Sequence, residues 1–159
     1  MPRIEEQIEI AVARVDVFKF CHDVKQRAQW DEQVEYIEVL TQGSMRQGAL
    51  LRIDARQGKS VFTWDAEVAE YHLPQQSRVK VLDAAKTSPF GRGSYLIWKF
   101  DSVGAGTQLT WIWDYQANGW AARIMDALGR QVAARRGIKR SLANLKQTLE
   151  SGARAGTQR

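Results

Sequence analysis

Apolar and polar positions along the chain follow two periods, and where one gives way to the other marks the elements. A period of two opens the chain: Ile8, Ile10 and Val12 face one way, Gln7 and Glu9 the other. That alternation predicts a half-buried antiparallel strand over 4–12. Asp16, or the turn before it, starts a short helix that buries Val17, Phe18 and Cys21. A second short helical piece ends near Trp30, with Asp23 between the two as a cap. From residue 34 the period of two returns, in strands expected over 34–41, 49–56, 60–72, 78–82, 93–103 and 107–116. Glycines at 43, 48 and 58, Pro74 and the run Gly104-Ala105-Gly106 punctuate them.

Three strands carry large rings on one face. Phe62, Trp64, Ala66 and Val68 alternate with Thr63, Asp65 and Glu67. Leu96, Trp98 and Phe100 oppose Tyr95, Ile97 and Lys99. Leu109, Trp111, Trp113 and Tyr115 oppose Thr110, Ile112 and Asp114. The chain then changes to a period of 3.6. Trp120, Ile124, Leu128, Ile138, Leu142, Leu145 and Leu149 form one stripe of a helix expected over 118–150, capped by Asn118 and stopped at Gly152. At 1.5 Å per residue it would be about 45–50 Å long, enough to cross a small domain. The fold class is therefore α+β: a curved antiparallel sheet of about six to seven strands around a long C-terminal helix, with two short helices after the first strand. Residues 1–151 form one domain, and 152–159 are expected to be a disordered tail.

Composition narrows the chemistry. The single cysteine cannot close an internal disulfide, and no cysteine–histidine cluster suggests a metal. No cofactor is called for. No apolar run approaches the ~18 residues of a membrane span, and the glutamates of the first ten residues do not suit a signal peptide, so a cytoplasmic location is expected. Residues 1–119 hold 14 Lys/Arg against 16 Asp/Glu, whereas residues 120–159 hold 9 against 2. The basic excess thus belongs to the last helix and tail, where a solvated helix face accounts for it. No aromatic residues interleave with these cations and no recognition motif accompanies them, so nucleic acid is not an expected partner. Ile112 alone on an outer face is too little for an interface, and no oligomeric state is specified.

The candidate site lies where the aromatic strands meet the helix. Rigid rings around a few polar groups describe a small-molecule pocket, and each buried indole N–H needs an acceptor. Gln131 and Arg135 interrupt the apolar stripe of the helix, and are read as facing a cavity. The expected lining is Phe62, Trp64, Val68, Phe90, Trp98, Phe100, Trp111 and Trp113 from the sheet, with Ile124, Leu128, Gln131 and Arg135 from the helix. No inward carboxylate is evident on the strands, so Arg135 is expected to meet water or an anionic or carbonyl-bearing ligand. The histidines, His22 at a helix end and His72 at a strand end, are read as surface or capping residues.

This order of elements resembles the START-like, or SRPBCC, superfamily, and within it the polyketide cyclase/dehydrase group. The resemblance spans residues 4–151. It rests on the opening strand with Ala-Arg-Val-Asp-Val-Phe-Lys-Phe, on Asp23, Trp30 and Gly48, and on Ser88-Pro89-Phe90. Two further runs carry it, Gly-Ala-Gly-Thr-Gln-Leu-Thr-Trp at 104–111 and Leu-Lys-Gln-Thr-Leu-Glu at 145–150. It implies a helix-grip fold with a hydrophobic cavity that holds lipids, sterols, polyketides, quinones or hormones. The aromatase/cyclases of the group have an inward arginine on the strand equivalent to 60–72. The matching position here is Val68, and the polar residue they have midway along the last helix matches Arg135.

Three readings follow. The first is a module that binds a small hydrophobic, aromatic or lipid-like molecule, with Arg135 and Gln131 orienting its polar end. The second is a polyketide aromatase/cyclase or dehydrase, in which Arg135 stabilises enolate charge and Tyr36 or a water shuttles protons. The third is an interaction module using the basic outer face of the helix, with salt-sensitive binding. No Ser-His-Asp, paired-carboxylate or P-loop signature is present.

Overall fold

A computed structural model describes residues 3–85, 88, 90–116 and 131–157. In chain order the elements are β1 (Arg3–Ile10), α1 (Arg14–Cys21), α2 (Val24–Trp30), β2 (Val34–Val39), β3 (Leu50–Gln57), β4 (Ser60–His72), β5 (Gln76–Ala84), β6 (Tyr95–Val103), β7 (Gly106–Asp114) and α3 (Gln131–Thr157). The seven strands form one antiparallel sheet in the order β1-β7-β6-β5-β4-β3-β2. From β2 to β7 each strand pairs with the next in sequence, and β1 closes onto β7.

The alternation that predicts the strands also decides their inner face. Phe62, Trp64, Ala66 and Val68 of β4 are buried, as are Leu96, Trp98 and Phe100 of β6 and Leu109, Trp111 and Trp113 of β7. Tyr115, just past β7, is buried with them. Against this face lie Ile138, Leu142 and Leu145 of α3, all but sealed from solvent. Ile112 points to the other face as its parity requires, yet it too is buried beside its cross-strand partners Glu5 and Ile97. Asp23 caps α2, its carboxylate accepting from the Lys25 N–H at 3.0 Å. Gly104 sits at φ +58 in the tight turn between β6 and β7, a conformation that side chains with a Cβ rarely adopt. At Gly106 a Cβ would lie 2.6 Å from the Ile10 carbonyl oxygen, so glycine is what lets β1 close onto β7.

Two boundaries differ from those expected. Helix α3 does not stop at Gly152 but continues to Thr157, so residues 152–157 are helical where a disordered tail is expected. A glycine ends a helix by adopting positive φ, and Gly152 does not. The cost of glycine inside a helix is about 1 kcal/mol, which neighbouring alanines can absorb. Strand β5 is longer than 78–82 because it pairs along β4 from Gln76 to Ala84. Asn118, Trp120, Ile124 and Leu128 lie outside the described residues.

The helix grips the sheet edge by charge as well as by its stripe. Lys146 donates to the Glu9 carbonyl at 2.7 Å and pairs with Glu150, whose carboxylate accepts from the Ala11 N–H. Of the five cations on α3 from Arg135 to Lys146, four are in ion pairs. Much of the basic face is therefore spent within the fold. Among the described residues no helix is long and apolar enough to cross a membrane.

Because Leu145 is fully buried between helix and sheet, Leu145→Ala should cost about 2–5 kcal/mol in urea unfolding. A cost below ~1 kcal/mol would mean the stripe is not the helix's anchor.

Candidate functional site

The polar centre of the interior comes from α2. Seven residues are too short a run to show a helical period clearly, but Arg27 and Asp31 stand four apart and share a face. Both are buried, Asp31 to 1% exposure and Arg27 to 7%. Arg27 Nε donates to Asp31 Oδ2 at 2.7 Å. The other carboxylate oxygen accepts from Ser141 Oγ and from the Gln33 N–H, each at 3.1 Å. Ser141 in turn accepts from the Glu32 N–H. The carboxylate is thus fully engaged, and it ties the end of α2, the start of β2 and the middle of α3 together.

The guanidinium is not fully engaged. Its Nη groups make no hydrogen bond among the described residues, and they lie among three indoles. The guanidinium carbon is 4.3 Å from the Trp98 ring, 5.3 Å from Trp30 and 5.7 Å from Trp111, within cation–π reach of each. The indoles pack edge to face, with Trp98 and Trp111 5.4 Å apart as cross-strand partners. None of the three indole N–H groups has a hydrogen-bond partner among the described residues, although all are buried. The interior therefore has donors in excess of acceptors.

Arg27 stands between two cavities. The first, with about 20 Å³ in which the centre of a water molecule can move, is lined by Cys21, His22, Met45, Val68, Ser77 and Trp98 among others. The second, with about 30 Å³, is lined by Phe62, Trp64, Phe90, Trp111, Trp113 and Gln33 among others. Each has room for about one water, well below the ~300 Å³ of a typical ligand pocket. In this conformation the interior is nearly closed. The wall of the second cavity includes groups that reach the surface: Gln33, Arg56 and Phe90 are all partly or fully exposed. Phe90 is placed by the Ser88 hydroxyl, which accepts from the Phe90 N–H and donates to its carbonyl. The ring stacks flat on Trp113 at 4.5 Å.

Of the lining expected from sequence, the structure brings Val68 and Trp98 to the first cavity and Phe62, Trp64, Phe90, Trp111 and Trp113 to the second. Phe100 packs against Phe18 and His22 instead and lines neither. Gln131 donates to the Tyr115 hydroxyl at 3.1 Å. Ile124 and Leu128 lie outside the described residues. Arg135 does not enter a cavity. It is 41% exposed and bonds Glu6 at 2.9 Å and the Glu5 carbonyl at 3.2 Å. The strands do carry an inward carboxylate, Glu6, which shares the inner parity of Ile4, Ile8 and Ile10 and takes the Arg135 charge. The break in the helical stripe meets the β1 edge rather than a hollow. Tyr36 is 55% exposed, because a register shift between Val34 and Tyr36 places Glu35 and Tyr36 both outside. It cannot shuttle protons in the interior.

His22 also departs from the reading as a surface residue. It caps α1 through Nδ1, 2.7 Å from the Phe18 carbonyl, but it is buried and its Nε2 lies 2.7 Å from Ser77 Oγ. Bonded to a carbonyl, Nδ1 carries the proton, so Ser77 donates to Nε2. Burial pushes the imidazole down to about 4, against the raising effect of the Phe18 carbonyl and assisted by the nearby Arg27 charge. Burial likewise pushes the Cys21 thiol far above its ordinary range, so neither group is charged at neutral pH. Among the described residues no acidic, histidine or cysteine cluster fits a metal.

Set against known proteins, residues 1–150 match the model of a family described as polyketide cyclase / dehydrase and lipid transport. No curated protein sequence matches the chain. Solved structures share its fold at low identity. A Thermus thermophilus protein superposes with a TM-score of 0.78 at 17% identity, covering 95% of this chain and 99% of its own. The Zhui aromatase/cyclase of a Streptomyces species gives 0.69 at 18%, covering 93% and 95%. A START superfamily protein of Mycobacterium smegmatis gives 0.67 at 14%, covering 94% of each chain.

Two outcomes follow from this geometry. Asp31→Ala leaves the Arg27 charge buried without its partner and should cost about 3–5 kcal/mol, whereas the double change Arg27→Met with Asp31→Leu should cost far less. Equal losses in urea unfolding would refute the pairing. The unfolded chain binds the His22 proton near pH 6.5 and the folded chain only near 4. Stability is therefore full above pH 6.5 and falls as pH drops toward 4. His22→Gln should flatten that slope; an unchanged slope would assign it to other groups. The paired carboxylates of Asp65 and Asp114 are held below their ordinary 3.8 by hydrogen bonds from Arg52 and Arg3, so they act at more acid pH.

Proposed function

From the premise that the chain belongs to the polyketide cyclase/dehydrase and lipid transport family, we propose that it holds a small, mostly apolar molecule bearing carbonyl oxygens between sheet and helices. One observation carries this reading: a buried guanidinium whose Nη groups make no hydrogen bond among the described residues, packed against three indoles whose N–H groups also lack acceptors there. Unpaired buried donors are costly, and a carbonyl oxygen relieves that cost without adding a donor of its own, whereas a hydroxyl adds one. The tryptophan and phenylalanine faces supply the apolar contact. Arg27, rather than Arg135, is the polar anchor.

The cavities as they stand admit waters, so binding requires the wall to part. Met45 at the first cavity and Gln33, Arg56 and Phe90 at the second are the side chains able to yield. The cost of that opening lowers the apparent affinity by the fraction of molecules that are open.

A second reading, aromatase/cyclase or dehydrase chemistry, is favoured by the same cation. By the resemblance, Val68 matches the position at which the aromatase/cyclases have an inward arginine, and Arg27 offers a guanidinium to the same cavity. There it would stabilise the oxyanion of an enolising poly-carbonyl chain, with most of the rate coming from holding the chain bent.

Tryptophan quenching and native mass spectrometry against panels of quinones, polyphenols and lipids test the first reading. Carbonyl-rich aromatic compounds should bind, and the Arg27→Met/Asp31→Leu protein should lose about tenfold in affinity for them, the equivalent of one charge-assisted hydrogen bond. A core silent to every panel would end the proposal. Turnover of a poly-carbonyl substrate that survives in the double variant would remove Arg27 from any chemistry.

A further inference from the structure

The second cavity does not end in the core. Two of its lining residues, Gln33 and Arg56, also line a surface groove of about 380 Å³ that runs along α3. The groove is bare of side chains at Gly137, where a Cβ would lie 2.7 Å from Gln33 Nε2. Glycine there lets the Gln33 amide rest against the helix, on the boundary between groove and cavity. That amide makes no hydrogen bond among the described residues, so little holds it in place.

The groove carries three guanidinium groups, Arg56, Arg136 and Arg140, and a single carboxylate, Glu32. Glu32 pairs with Arg140 at 2.7 Å, and Glu35, outside the groove, pairs with Arg56. Arg136 is exposed and has no ion pair among the described residues. It stands one turn from Arg140 on the same helical face. A cation with no ion pair among the described residues thus lines a cleft that shares Gln33 and Arg56 with an aromatic cavity.

We propose that the groove is a second subsite, which takes an oxyanion (carboxylate, sulfonate or phosphate) carried on the outer end of the apolar molecule. The ligand would then be an anionic amphiphile. Its apolar body lies among Phe62, Trp64, Phe90, Trp111 and Trp113, and its charge lies against Arg136, with Arg56 and Arg140 beside it. This rests on the reading of the interior as a ligand site and adds the charge of the ligand to it. A guanidinium fork matches a planar or tetrahedral oxyanion, and the displaced Gln33 amide can donate to the same group.

The test uses two dyes on the full chain, anilinonaphthalene sulfonate and its uncharged counterpart phenylnaphthylamine. The wild type should bind both, and only the sulfonate should weaken as salt rises. Arg136→Gln should weaken the sulfonate about fivefold, the scale of one partly exposed ion pair, and Arg136→Glu should weaken it further. Neither change should alter the uncharged dye. Sulfonate binding unaffected by Arg136→Glu, with the uncharged dye still bound, overturns the groove subsite and leaves the interior site standing. Failure of both dyes in a chain that still binds the carbonyl-rich panel overturns the groove subsite alone, and failure of dyes and panel overturns the two together. Inorganic phosphate should displace the sulfonate only weakly; displacement at concentrations comparable to the dye would make the groove a site for free anions and refute the amphiphile.

Discussion

A buried carboxylate cannot be left unsatisfied, and Asp31 is where this fold meets that demand. Its two oxygens take hydrogen bonds from Arg27, from Ser141 on the long helix and from the backbone of Gln33. Two of these partners are local, Arg27 on α2 and Gln33 in the turn before β2, and the third, Ser141, is 110 positions away on α3. Satisfying the carboxylate therefore fixes α2 against α3 and sets the entry into β2. The guanidinium is drawn into the space between the tryptophans as a consequence. Removing either charge alone strands the other in a medium of low dielectric, which is why the pair acts as a unit.

That pairing also sets the balance of donors and acceptors in the interior. Among the described residues the carboxylate is saturated while the guanidinium is not, and the indoles around it add more donors without acceptors. His22 and Ser77 satisfy one another and are neutral, so they do not redress the balance. Recognition in such a space favours acceptor oxygens on a flat apolar frame. The sheet supplies the frame's partners through residues of one parity on β4, β6 and β7, and the Phe90 ring stacked on Trp113 closes them off from the loop side.

The close packing of the interior and the proposed ligand site are compatible through the wall of the second cavity. Strands and helix are tied by dense apolar contact and by the Asp31 cluster. Gln33, Arg56 and Phe90 instead reach the surface and are held by contacts on their own side of the wall, Arg56 by Glu35 and Phe90 by Ser88 and Trp113. In the proposed reading the packed part holds the binding groups and the exposed wall gives access, a division expected where binding groups must be held while a path opens. The same wall joins the aromatic interior to the cationic groove, so its residues belong to both environments.

What the sequence determined by itself was periodicity. Alternation of period two specified which residues of β4, β6 and β7 face inward, since a strand must bury one face. The 3.6 period did the same for Ile138, Leu142 and Leu145 of the helix. The aromatic lining was legible for that reason. The position of the charges was not, because a charged residue within an apolar stripe has more than one solution. Arg135 found Glu6 at the sheet edge, a partner 129 positions away, while Arg27 sat in a helix too short to display a period. Tyr36 was turned outward by an irregularity in strand pairing that no local pattern announces. Which cation is buried depends on which carboxylate can be brought to it, and only the packing of distant elements decides that.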